Sequence, residues 1–266
     1  MPRKIIVFGN QKGGTGKSTL AMHLVVSLLF KNYRVATVDV DARQGTFSRY
    51  IENREGSKKN APEILMPDHT ALFESGLDSA SASEKENFER ISELLGSLTD
   101  YDFVVIDTPG NDNSLSRIAH SFSDVIITPM NESFIDLDLL VRIRELDAND
   151  LKPSIYAEMV WNQKKERAIR DKMSIDWIVL INRMSSMMSK NRQALEKVLG
   201  ALSKRIGFRS ATGFKERVIF RELFLSGLTL LDKNIAGAQT SLSHIAARHE
   251  LNDLLKSLNI SGKDDD

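Results

Sequence analysis

Short apolar runs recur along this 266-residue chain, separated by polar or glycine-bearing stretches. Residues 4–8, 35–40, 103–107, 124–129 and 177–182 are each about one strand long and rich in Val and Ile. Continuous apolar runs, rather than strict alternation, are what strands covered on both faces of a parallel sheet show. Helix-length segments lie between them. Residues 19–30 are apolar with no Gly or Pro, which predicts a buried helix. Residues 190–206 are amphipathic, with Leu195, Val198, Leu199, Leu202 and Ile206 on one stripe. Residues 242–258 place Leu242, Ile245, Leu251, Leu254, Leu255 and Leu258 on a C-terminal helix that docks on the core. The alternation predicts one α/β domain over residues 1–260, a mostly parallel sheet with helices on both faces. Residues 53–85, with Gly, Ser, Asn, Pro and clustered charge, read as a long surface excursion. The acidic residues 261–266 read as a disordered tail.

Charge adds a regional bias. The chain balances 36 Lys and Arg against 36 Asp and Glu, yet residues 36–147 hold 10 against 22 and residues 160–221 hold 15 against 5. A basic region of that kind suits a polyanion. There is no cysteine, which excludes disulfides, thiolate metal sites and Cys-ligated iron–sulfur clusters. No apolar stretch is long enough to span a bilayer, and the N-terminus runs straight into the first strand, so a soluble, cytoplasmic chain is expected.

The chemistry begins at Lys12-Gly13-Gly14-Thr15-Gly16-Lys17-Ser18-Thr19, between the first strand and the first helix. Glycines there turn backbone N–H groups toward phosphates, and the helix start adds partial positive charge. Lys17 meets the outer phosphates of a nucleoside triphosphate, Ser18 coordinates Mg²⁺, and Thr19 bonds an inner phosphate. Lys12 is surplus to one set of phosphates. At the loop's mouth it is placed to reach a nucleotide held by a second subunit.

Two acidic segments complete the constellation. Asp39 and Asp41 end the second strand two residues apart, which on a strand puts both on one side. One carboxylate organises Mg²⁺ and its waters while the other positions the attacking water. Asp41, further beyond the strand end, takes the water, leaving Asp39 with the metal. Arg43 and Gln44 follow as contacts to phosphates or a partner. Asp107, before Pro109-Gly110, ends another buried strand and holds the Mg²⁺ shell. The candidate catalytic residues are thus Lys12, Lys17 and Asp41, and the metal set is Ser18, Asp39 and Asp107.

In this order and spacing the segments resemble the ParA/MinD family of deviant Walker-A P-loop ATPases. Gly9-Asn10-Gln11, Asp41-Ala42-Arg43-Gln44, the stretch 128–134, Arg217–Phe224 and Gly227–Asp232 resemble its MipZ subfamily of division-site regulators. The resemblance implies a P-loop NTPase fold with ATP and Mg²⁺ as ligands. It implies that Lys12 crosses the interface of an ATP-bound homodimer, that Asp41 is needed for hydrolysis, and that Asn182 reads the adenine. It also implies ParB and FtsZ as partners, with non-specific DNA bound by the dimer, in the nucleoid-associated cytoplasm of a bacterium. The last two stretches are not explained by nucleotide chemistry.

The amphipathic helix fits that picture. Lys190, Lys197 and Lys204 recur every seven residues opposite the apolar stripe, and Arg192, Arg205 and Arg209 flank them. Such a row contacts phosphates without reading bases. A partition ATPase of the ParA type without an FtsZ role shares all of this chemistry. Membrane cycling of the MinD type is opposed by Asp264-Asp265-Asp266, which anionic lipid repels, so no membrane partner is expected. The five histidines lack metal-ligand spacing. His23 reads as a satisfied core histidine, and Trp161, Trp177 and the methionines at 184–188 as packing or surface residues.

Overall fold

The computed structural model describes residues 2–41, 44–77, 79–142, 152–185, 190–232 and 242–260, without the side chains of 142, 190, 191, 242 and 243. The tail at 261–266, Arg43, the side chain of Lys190 and Met187 and Met188 lie outside that set. The expected buried runs are strands β1 (Lys4–Phe8), β2 (Val35–Asp39), β4 (Phe103–Asp107), β5 (Val125–Asn131) and β8 (Asp176–Asn182). Two more strands, β3 (Asp68–Ala71) and β9 (Arg209–Thr212), close the sheet at its edges. All seven run parallel in the order β3-β2-β4-β1-β5-β8-β9. A small antiparallel pair, β6 (Val141–Arg142) and β7 (Lys152–Pro153), stands apart.

Helices cover both faces. On one, α1 (Lys17–Phe30) and α8 (Leu242–Ser257) pack against Ile6, Phe8, Val105 and Leu180. On the other, α3 (Ala80–Ser97) and α4 (Ser114–Phe122) cover Ile5, Val7 and Val104. Beside them α5 (Ile155–Asp171) and α6 (Lys190–Ile206) cover Ile126, Trp177 and Val179. Successive residues of one strand feed opposite faces, the period of two that a pleated strand imposes. Leu195, Leu199 and Leu202 of α6 are buried as expected. On α8 the expected Ile245 is 44% exposed, and Ala247 fills the buried position instead. Among the described residues no helix is long and apolar enough to cross a membrane.

The stretch 53–85 is not a surface excursion throughout. It contains the end of α2 (Thr46–Lys58), the whole of β3 and the start of α3. Arg54 and Asp232 explain one of the stretches that nucleotide chemistry does not. Both side chains are fully buried, with Nη1 and Nη2 of Arg54 donating to Asp232 Oδ2 (2.8 Å) and Oδ1 (2.7 Å). Nε of Arg54 donates to the Leu65 carbonyl, and Nη1 also reaches that of Gly227. Thr229 donates its N–H and its hydroxyl to Asp232, both at 2.7 Å. Gly227 adopts φ of 65° against the backbone of Arg54, where a Cβ would collide. The segment 227–232 thus binds helix α2, and the helix α7 (Ile219–Leu225) before it, to the rest of the domain.

Candidate functional site

The phosphate loop follows β1 at the carboxyl end of the sheet, where the strand order reverses between β4 and β5. Ligands of open parallel sheets bind at such a reversal. Gly14 and Gly16 hold φ of 74° and 87°, and a Cβ on Gly16 would meet the Asn182 amide. The start of α1 has neither a side-chain cap nor an acidic residue in its first turn. Its free N–H groups and dipole therefore favour an anion. A cavity of about 420 Å³ opens there, lined by residues 13–19, Asp41, Gln44, Thr46, Asp107, Thr108, Gly110, Asn111 and Arg183.

Lys17 is 9% exposed and donates to the carbonyls of Asn10 (3.4 Å) and Lys12 (3.2 Å). Burial lowers its pKa, against the charges of Asp107 and Asp41. Ser18 Oγ donates to Asp107 Oδ2 at 2.6 Å, joining two residues expected to share a metal. Burial pushes Asp107 up to about 7 despite that hydrogen bond and Lys17, with Asp39 and Asp41 adding to the rise. Its Oδ1 is buried with no hydrogen-bond partner, and so is Thr15 Oγ1. Orphaned polar atoms of this kind point to a missing ligand. Among the described residues no three His, Cys, Asp or Glu side chains cluster to hold a metal. Ser18 and Asp107 instead offer the sparse oxygen set that suits Mg²⁺ held jointly with phosphates and water.

Asp41 lies just past the end of β2, lines the cavity and is part-buried. Burial and the neighbouring Asp39 raise its pKa, which Lys17 and the Gln44 N–H oppose. Asp39 does not join the metal set as expected. It is fully buried and absent from the cavity wall. Its Oδ1 accepts from the Asp41 N–H, and its Oδ2 accepts from the N–H and hydroxyl of Ser48. Strand β2 ends at Asp39, so the same-side geometry of residues two apart does not extend to Asp41.

Lys12 does not line the cavity of its own chain. Its Nζ donates to the Ile135 carbonyl at 2.9 Å and pairs with Asp136 at 3.1 Å, in the 3-10 turn Phe134–Leu139. Asn182 Nδ2 donates to the Thr15 carbonyl (2.8 Å), and its Oδ1 accepts from the Phe214 N–H (2.9 Å). An amide has two N–H donors and two acceptor lone pairs, so half its capacity remains for a base. It also borders a mostly apolar cavity of about 380 Å³ with Phe214, Arg217, Phe220 and Arg221. Phe214 and Phe220 stack at 4.9 Å and 15°. The sequence pattern did not single out Phe214 or give Arg183 a role. The positive φ of Arg183 (50°) has no signature a sequence reveals.

A family model for the ATPase MipZ matches residues 4–262. The chain belongs to the MipZ family of ATPases. The chain is similar to partition and septum-placement proteins. A ParA family protein of Mycoplasma pneumoniae is 30% identical over 170 residues, 53% of this chain and 63% of that protein. The match thus spans less than two thirds of that relative's length. A plasmid partition protein of Borrelia burgdorferi B31 bound to AMPPNP shares the fold at a TM-score of 0.57 and 20% identity, covering 96% and 99% of the two chains. So does the septum site-determining protein MinD of Pyrococcus horikoshii complexed with Mg-ADP, at 0.56 and 18%, covering 97% of each. The MipZ family assignment agrees with the parallel sheet and the phosphate loop.

The other histidine and tryptophan readings meet the structure directly. His23 is fully buried, with Nδ1 2.8 Å from the Thr19 carbonyl and edge-on contacts to Phe214 and Phe220. Burial drives its pKa to about 4, so it is a neutral core residue. Trp177 is buried with Nε1 on Thr128, whereas Trp161 is 54% exposed. The candidate DNA residues divide. Lys197, Lys204 and Arg205 are exposed on α6. Arg192 pairs with Glu196 (2.9 Å). Arg209 lies on β9, where its fork holds Asp176 at 3.0 and 2.5 Å. Those two guanidiniums already have carboxylate partners, which concentrates the reading on Lys197 and Lys204.

Proposed function

We propose that this chain is a Mg²⁺-dependent ATP hydrolase whose ATP-bound form is a homodimer that binds ParB and non-specific DNA and restrains FtsZ polymerisation. The observation that carries the reading is Lys12. It sits in the phosphate loop yet takes no part in its own cavity, as a lysine serving a second copy's nucleotide must. ATP lies with its phosphates on residues 13–19 and Lys17, and its base beside Asn182. Mg²⁺, held by Ser18 and Asp107, supplies neutralisation of the charge that develops on the phosphates. Asp41 is the remaining carboxylate on the cavity wall and orients the attacking water. Family membership and the partition and MinD relatives support the division-site role. The protein acts in the bacterial cytoplasm, on the nucleoid.

FtsZ sedimentation tests this reading. With ATP, the wild-type chain is expected to dimerise and to lower the FtsZ pellet. Lys12→Ala is expected to keep ATP binding and lose both effects. A wild-type dimer that leaves the pellet unchanged would assign the chain to partition without FtsZ control.

DNA binding rests on Lys197 and Lys204, which stand exposed with no ion pair among the described residues. A dimer presents four such lysines, and pairing two faces strengthens binding steeply. Lys197→Glu with Lys204→Glu is expected to abolish ATP-dependent DNA retention and spare hydrolysis. Neutralising the pair instead should reduce the slope of log affinity against log salt by roughly 3–4, at about 0.9 per phosphate contact. Undiminished DNA retention in a salt titration would remove α6 from the interface.

A further inference from the structure

A chain of hydrogen bonds runs from the outer edge of the sheet to the backbone of Asp41. His69 lies in edge strand β3, in register with Thr37 of β2. Its Nδ1 is 3.0 Å from Thr37 Oγ1, and its Nε2 is 3.0 Å from Ser48 Oγ in the first turn of α2. Ser48 donates its hydroxyl (2.8 Å) and its N–H (2.9 Å) to Asp39 Oδ2. The other oxygen of Asp39 accepts the N–H of Asp41 at 2.8 Å. Phe47 stands edge-on to the His69 ring and limits its freedom. Of these groups only Asp41 reaches the nucleotide cavity.

Counting protons gives the chain a direction. Ser48 has one hydroxyl hydrogen and spends it on Asp39, so its oxygen must accept from His69 Nε2–H. The neutral ring then turns its Nδ1 lone pair to Thr37, whose single hydroxyl hydrogen is shared between Nδ1 and the Asp68 carbonyl, each 3.0 Å away, so the bond to Ser48 is the one that ties His69 to Asp39. His69 thereby fixes the Ser48 rotor, Ser48 fixes the carboxylate of Asp39, and Asp39 holds the amide at the base of the Asp41 turn. That turn is closed by the Gln44 and Gly45 N–H groups on the Asp41 carbonyl.

We infer that His69 is a positioning residue for hydrolysis, acting through Ser48 and Asp39 to set where the Asp41 carboxylate stands in the cavity. The inference rests on the proposed role of Asp41 toward the attacking water. Because the phosphate loop is built on β1 and braced by Asn182 of β8, the relay governs turnover and leaves nucleotide affinity alone.

The test is single-turnover ATP hydrolysis with nucleotide affinity measured in parallel on the full chain. Small misplacements of a reacting group carry large rate losses, and His69→Asn, whose short amide cannot reach Ser48, is expected to lower the rate about tenfold. Its nucleotide Kd stays at the wild-type value. His69→Gln places an amide N–H near the Nε2 position and restores most of the rate. Ser48→Ala reproduces the loss, and adding His69→Asn to it costs nothing further, since the two act through one chain. Equal impairment in His69→Asn and His69→Gln, or additive losses with Ser48→Ala, would reduce His69 to strand packing and overturn the relay. If Asp41→Ala is inactive while His69→Asn turns over normally, the relay fails and the role of Asp41 stands. If Asp41→Ala itself hydrolyses ATP normally, the underlying reading fails.

Discussion

Replacing Asp41 by alanine is expected to slow ATP hydrolysis by about 10²–10⁴-fold, the usual worth of a positioned proton-handling group. Nucleotide affinity should change little, because in the proposed complex the phosphates rest on backbone N–H groups, Lys17 and the start of α1 rather than on a carboxylate. Removing one negative charge from beside Lys17 even favours the triphosphate. The dimer should consequently persist in ATP rather than decay as ATP is consumed, which light scattering over time would record. Asp41→Asn should behave alike, since an amide cannot take a proton from water. A variant that turns over ATP within about tenfold of wild type would remove Asp41 from the reaction.

The second large effect concerns stability. Asp232→Ala leaves the Arg54 guanidinium buried without its carboxylate, which costs about 3–5 kcal/mol. For a domain of this size that lowers Tm by roughly 10 °C, measured by thermal unfolding with nucleotide absent. Replacing both residues by apolar side chains of similar volume should cost far less, because no charge is then stranded. Burial by itself opposes ionisation of Asp232, but the hydrogen bonds and charge of Arg54, with Thr229, outweigh it and hold the carboxyl below its usual range. The sign follows from that depression. The unfolded chain binds the proton more readily, so this contribution is complete above the ordinary carboxylate pKa of about 4 and is lost as pH falls through the lower native value. The acid limb of the stability profile should flatten in the double apolar variant.

The centre of the sheet and the phosphate loop were legible because each is written locally. Ile5–Phe8 and Phe103–Ile106 are apolar enough to require burial, and Gly-Lys-Ser-Thr between a strand and a helix has one well-known use. The edges were not. Asp68-His69-Thr70-Ala71 and Arg209-Ser210-Ala211-Thr212 are polar, half-exposed and short, and they become strands only because β2 and β8 offer a free ladder. Asp39 misled for a related reason. Its spacing from Asp41 was visible, but the cap it makes on α2 depends on Ser48, nine residues on, and on where β2 ends. The bond between Lys12 and Asp136 joins residues 124 positions apart and leaves no trace in either local pattern.

Those polar edges have a further consequence for assembly. A parallel sheet whose flanks carried long apolar strands would add neighbours without limit, one ladder to the next. Here both flanks are brief and charged, with Asp68 at one and the Arg209–Asp176 pair at the other. Growth by strand addition is thereby discouraged at either end. The proposed dimer would then form through the face that carries the phosphate loop, where association ends at two copies and is undone when the triphosphate is spent.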